Sequence, residues 1–343
     1  MKQPRNILVS RIFVGAMTVL ALFIANFVAQ IIWGVIHATM RGFFPPKNGF
    51  IYQFQFFVPI LLALLIAVVY TVFAQSPIGV NITKNVLGVR PVMTDNEKSL
   101  LEPLHDEVFE RIKEKFPSAI KRQLYMFDSA DINAFCMNAG SDIAIHRGST
   151  QTFNDEEMKA LIAHEYAHSH YKDGLFSTLF VGVQYGFIFL YVWPFIHNFR
   201  VFRDIVGSNN IFAWAFHALI LFLVFAFYVL LIKLLTFPIR VVVNFILALF
   251  GTDLQGLTEK MLEYGRLFAL QNVAFMMMSK QQEYRADEFA SYIGYKYGML
   301  SVLELFHEME YQPVFGVLNK VFAEHPATYK RIANVEKFEV EDY

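Results

Sequence analysis

Two histidines four residues apart, with a glutamate directly after the first, stand at His164-Glu165-Tyr166-Ala167-His168. The run before them, 155–163, reads as the start of an amphipathic helix. On a helix that spacing stacks both imidazoles on one face, one turn apart, where two nitrogens can meet a single tetrahedral Zn²⁺. Glu165, rotated by about 100° from His164, lies beside the cation rather than on it, placed to take a proton from an attacking water. The chemistry implied is metal-assisted hydrolysis.

A third ligand must come from elsewhere. Glu283-Tyr284-Arg285-Ala286-Asp287 repeats the four-residue spacing with carboxylates, inside the helix-like run 275–293. Glu283 completes a His₂Glu set, which leaves a coordination position open for catalysis. Asp287, one turn on, can accept the ring N–H of a ligating histidine and fix its tautomer. Each motif alone has an ordinary reading, as surface helix histidines or as a solvated acidic face. Together they predict one Zn²⁺ per chain, held by His164, His168 and Glu283. The single Cys136 excludes a disulfide framework and any multi-cysteine zinc site. His170 lies two residues beyond His168 and points off that face.

The elements that position these residues divide into apolar runs and charged pieces. The 343 residues are 55% hydrophobic and 17% charged, and the mean hydropathy is +0.39. Such a chain needs a bilayer as part of its solvent. A net charge of −1 offers no basic field for nucleic acid. Apolar runs at 12–36, 54–73, 175–195 and 211–232 predict about four transmembrane helices. The first exceeds the about 7–15 apolar residues of a signal peptide, so it reads as a retained span. Lys2, Arg5 and Arg11 before it favour a cytoplasmic N-terminus. The 236–250 run, with Pro238, Arg240 and Asn244, is too short to cross and reads as interfacial. His168 and Glu283 can share an ion only if the chain between them crosses an even number of times.

Between the spans, 97–116 carries a helical apolar stripe, and 124–127 and 142–146 read as short strands before the histidine helix. The expected architecture is mainly α and polytopic, with an α+β zincin-like catalytic domain carrying a small β-sheet. Its pieces are an N-terminal hairpin (1–76), the first catalytic part (77–174), a second hairpin (175–235), and an interfacial segment with the second catalytic part (236–343). An edge strand near the metal can hold an extended peptide by main-chain hydrogen bonds. Asn133, Ala134, Phe135, Ile143 and Ile145 are assigned that task.

Asp131-Ile132-Asn133-Ala134-Phe135, Ser141-Asp142-Ile143-Ala144-Ile145, the histidine helix ending in Lys172-Asp173-Gly174, Glu283 to Asp287, and His325-Pro326 with Arg331-Ile332 follow one another in order. From about residue 80 onward this series resembles the HtpX-type membrane zinc metallopeptidases. The chain departs from that pattern at Gln282, where an arginine is usual, at Arg147-Gly148-Ser149-Thr150, and in the length between His168 and Glu283. The resemblance implies that His325 stabilises the oxyanion and that Arg331 ties down the terminal helix. It also implies a bacterial inner-membrane protease of the stress response, cutting misfolded or damaged membrane proteins on the cytoplasmic side. A prenyl-protein (CAAX) endopeptidase shares the motif set, and a non-catalytic scaffold with a structural zinc site is the alternative outside the enzymes. Partners are polypeptide substrates and the lipid bilayer; oligomeric state is not encoded legibly.

Overall fold

The computed structural model describes residues 4–43, 57–137, 142–186, 189–190, 269–309 and 326–339. The chain forms two compact units: 1–15, 67–182 and 273–343 make the first, and 16–66 with 183–272 the second. Every motif above falls within the first unit.

Two helices open the chain, α1 (Leu8–Phe43) and α2 (Phe57–Gln75). Ser76 then caps α3 (Pro77–Leu87), its hydroxyl accepting from the Gly79 N–H. Of the about four transmembrane helices expected, the described residues cover the first, most of the second and part of the third. Among the described residues one helix, Leu8–Phe27, is long and apolar enough to cross a bilayer. The second expected run, 54–73, falls largely in α2, which ends where Ser76 and Pro77 restart the helix and bend it by 73° into α3, so that pair supplies at most one more crossing. The third is helical over 173–186 and only partly described beyond, and the fourth lies outside the described residues, as do 236–250, His197 and His217.

The rest of the first unit is a helical layer on a small mixed sheet. Strands β1 (Val89–Pro91), β2 (Gln123–Phe127), β3 (Ala134–Met137) and β4 (Asp142–His146) stand in the order β1-β2-β4-β3. β1 is antiparallel to β2, β2 parallel to β4, and β4 antiparallel to β3, with Ala134 opposite Ile145. All five residues of β4 are buried, so the central strand is sealed on both faces. Among the described residues β3 is left as an edge.

Helix α4 (Asp95–Lys115) starts with a Thr94–Glu97 capping box. A short helix, α5 (Arg147–Thr152), follows β4. Its contacts are steric and polar. Ser149 Oγ donates to the Asn133 carbonyl at 2.8 Å, and the His146 N–H reaches the same oxygen at 3.0 Å. A Cβ on Gly148 would fall 2.1 Å from the Ala130 carbonyl oxygen and 2.4 Å from that of Asp131. Backbone cannot give way as a side-chain tip would. Gly148→Ala is therefore expected to destabilise the fold by about 1–3 kcal/mol or more, read as a lowered denaturant midpoint; an unchanged midpoint would refute this packing.

Helix α6 (Asp155–His170) carries the two histidines and is the centre of the unit. Asn154 and Glu157 close a capping box, and Asp155, Glu156 and Glu157 in the first turn complement the helix dipole. From Met158 to Ala167 every residue is buried, because β3 and β4, α4, and the later helices surround it. Helices α7 (Ala269–Ala290) and α8 (Lys296–Met309) are joined by a π-turn, Ser291–Tyr295. Gly294 there has φ +104°, a conformation that favours glycine. α9 (Thr328–Glu336) packs on α8.

One buried polar link fixes α6 against α4. The Arg122 N–H donates to Tyr166 Oη at 2.9 Å, and Tyr166 Oη meets His105 Nε2 at 2.8 Å. The hydroxyl proton left over points to a neutral His105 acceptor, and burial lowers its pKa from 6.5 to about 4. The folded state therefore binds fewer protons than the unfolded chain between these values. Stability is full above pH 6.5 and falls by roughly 2–3 kcal/mol as pH drops towards 4. A His105→Gln variant, which can still accept from Tyr166, is expected to lose that acid dependence in thermal unfolding followed from pH 7.5 to 4.5; an identical slope in both proteins would refute it.

Candidate metal centre

The helical period of α6 brings His164 Nε2 and His168 Nε2 to 3.3 Å from each other. Glu283, from α7, completes the group: its Oε2 is 3.6 Å from His164 Nε2 and its Oε1 is 3.6 Å from His168 Nε2. One donor atom from each of the three residues lies within 4.8 Å of the others. Two nitrogens about 2.0–2.1 Å from a tetrahedral ion are about 3.3 Å apart, so the donor set fits Zn²⁺.

Carboxylates hold the far side of both rings. Asp287, one turn beyond Glu283 and fully buried, places Oδ1 3.0 Å from His164 Nδ1. Asp173 Oδ2 lies 3.0 Å from His168 Nδ1. With each Nδ1 facing an anion, both Nε2 lone pairs are directed inward. Arg331 on α9 grips Asp287 with two hydrogen bonds, Nε to Oδ2 at 2.8 Å and Nη2 to Oδ1 at 2.6 Å. Its Nη1 reaches Glu283 Oε2 at 3.1 Å. Burial pushes the Asp287 carboxyl up, but Arg331 and His164 outweigh it and hold the group below its usual range.

Asp173 is the residue that sequence reasoning missed. It follows Lys172, whose φ of 58° turns the chain back on itself. Its Oδ1 takes Arg11 Nη2 at 2.7 Å and Arg285 Nη2 at 2.5 Å. The available signal was a helix terminus, Lys172-Asp173-Gly174, which reads as a stop and nothing more. Asp173→Asn is expected to weaken zinc binding about 10–100-fold, measured by competition with a chelating dye. Unchanged affinity would mean that Asp173 does not orient His168.

A cavity of about 620 Å³ contains the three donors and Glu165. β3 forms one wall, with Asn133, Ala134 and Phe135 among its lining. Gln282, Met299 and Phe306 contribute from the later helices. Ile143 and Ile145 do not belong to this wall. Both are fully buried in the core on the central strand, so their assignment to substrate contact is corrected. His170 packs against Phe116 and Phe289, with ring centroids 4.5 and 5.7 Å away. His325 lies outside the described residues.

A His₂Glu donor set drawn from α6 and α7, together with the family match that follows, defines a zinc metalloendopeptidase. The chain belongs to peptidase family M48, which it matches over residues 101–339. It is 26% identical over 226 residues to "Protease HtpX" of Vibrio atlanticus (strain LGP32), covering 61% of this chain and 64% of that protein. It is 35% identical over 88 residues to "Protease HtpX" of Vibrio parahaemolyticus serotype O3:K6 (strain RIMD 2210633), covering 25% and 28%. The chain thus spans less than two thirds of both curated relatives. Among solved structures, the crystal structure of S. mikatae Ste24p aligns with 92% of this chain and 67% of its own length, at 15% identity and a TM-score of 0.45.

Proposed function

We propose that this chain is a membrane-anchored endopeptidase that hydrolyses polypeptides presented at the bilayer surface. The observation that carries the reading is the convergence of His164, His168 and Glu283 with Glu165 in one cavity. Zinc bound there supplies Lewis-acid activation of water and polarisation of the scissile carbonyl. Glu165 takes the proton of the attacking water and passes it to the departing amine nitrogen. Its position next to His164, but outside the donor set, supports that role. The edge of β3, which begins at Ala134 directly after Asn133 and includes Phe135, pairs with an extended substrate through main-chain hydrogen bonds. Arg331 balances the charge of Glu283 and Asp287 and keeps both carboxylates in place. His325 is assigned to oxyanion stabilisation by resemblance.

Two narrower substrate classes follow. Misfolded membrane proteins are one, with the catalytic unit on the cytoplasmic side. The apolar part of the cavity wall, with Ile132, Phe135, Met137, Met299 and Phe306, favours the second: prenylated C-terminal peptides, whose isoprenoid chain needs such a surface. Purified protein in detergent is to be assayed on casein and on a farnesylated C-terminal peptide, with and without chelator. Chelator-sensitive cleavage of at least one of the two, restored by zinc, is the expected result. Cleavage of the farnesylated peptide alone would select the second class, and cleavage of neither would overturn the proposal.

A further inference from the structure

A second cavity, of about 430 Å³, lies where the N-terminal segment meets the catalytic unit. Its walls include Arg5, Arg11, Phe116, Tyr171, Arg285 and Tyr292, and no Asp or Glu lines it among the described residues. The carboxylates that these arginines hold are already shared with other partners. Arg5 is held by Glu288, and Arg11 and Arg285 both hold one oxygen, Asp173 Oδ1. The other Asp173 oxygen faces His168. Two guanidinium groups therefore divide a single half-committed carboxylate. Among the described residues, the Nε of Arg11 and the Nε of Arg285 are buried with no hydrogen-bond partner, and Arg285 as a whole is only 3% exposed. Buried donors and excess positive charge are costly unless an anion meets them.

Guanidinium groups pair bidentately with the oxygens of phosphates and of carboxylates. The place in the chain narrows the source of the anion. Arg11 stands one turn inside Leu8–Phe27, the helix long and apolar enough to cross a bilayer. The first turn of such a helix lies at the level of the lipid headgroups. We propose that this cavity binds a phosphate group, supplied in the membrane by the phosphodiester of an anionic phospholipid. The aromatic walls at Phe116, Tyr171 and Tyr292 face the less polar part of the lipid. Because Arg11 and Arg285 also restrain Asp173, and Asp173 restrains His168, occupancy adjusts how firmly that metal ligand is held; this consequence alone rests on the proposed function.

The test reads binding, not catalysis. The full chain, purified in non-ionic detergent, is titrated with dihexanoyl phosphatidylglycerol, dihexanoyl phosphatidylcholine or inorganic phosphate, and bound molecules are counted by native mass spectrometry. One phosphatidylglycerol per chain is expected, retained at least about tenfold more tightly than phosphatidylcholine. Arg11→Gln is expected to weaken retention about tenfold or more. Arg5→Gln, which leaves the partners of Asp173 in place, should act in the same direction and serves if Arg11→Gln fails to fold. Displacement of the lipid by inorganic phosphate would support the shared phosphate chemistry. Phosphate binding without lipid binding would overturn the lipid as its source. Equal retention of both lipids, or unchanged binding in both variants, would overturn the site. A chain that binds the anionic lipid but cleaves nothing would count against the peptidase reading and leave this one standing.

Discussion

Glu165→Gln is expected to bind zinc as the parent does and to lose peptidase activity by about 10²–10⁴-fold, the contribution of a positioned proton carrier. The amide keeps the size and polarity of the carboxylate but cannot take a proton from water at neutral pH. Glu165 stands directly after His164 on α6, is buried, and lines the same cavity as the three donors without being one of them. The loss should therefore fall on kcat, with zinc content and thermal stability held. A variant that retained full turnover would remove Glu165 from the chemistry. One that lost zinc as well would make it a ligand or a support for one.

Glu283→Gln is expected to fail differently. It removes the anionic donor facing both histidines, whose Nε2 atoms each lie 3.6 Å from its carboxylate. A neutral amide oxygen binds Zn²⁺ far more weakly, so the purified variant should carry much less than stoichiometric zinc and show no measurable activity. Arg331 keeps its two hydrogen bonds to Asp287, so the variant should still fold. Metal analysis on the two variants side by side separates the roles. Zinc present with catalysis lost marks Glu165, and zinc absent marks Glu283. Stoichiometric, tightly held zinc in Glu283→Gln would show that another residue completes the site.

The part of the site that local periodicity dictates was legible in the sequence. The four-residue spacings at His164–His168 and Glu283–Asp287 need only a helix to become shared faces, and α6 and α7 supply them. The strand at 142–146 was legible because an apolar run bounded by polar residues leaves few other options. Asp173 was not, since its approach to His168 depends on a left-handed turn at Lys172 and on two arginines distant in sequence. Nor was the steric demand on Gly148, which comes from the backbone of Ala130 and Asp131 rather than from its own neighbours. The assignment of Ile143 and Ile145 to substrate contact failed for a related reason: alternation along a strand does not reveal that both faces are covered. Apolar length alone also misjudged the course of the second expected span, which bends by 73° into the next helix. It carries no information about where a helix restarts, and at Ser76-Pro77 it does.

The reading stands on one cation gripped by two imidazoles and a carboxylate drawn from distant parts of the chain. X-ray absorption at the zinc edge on the purified protein addresses it most directly. One zinc per chain, with only nitrogen and oxygen neighbours at about 2.0–2.1 Å and imidazole scattering from two rings, is the predicted result. A sulfur neighbour at about 2.3 Å, scattering from a single imidazole, or no stoichiometric zinc would contradict it.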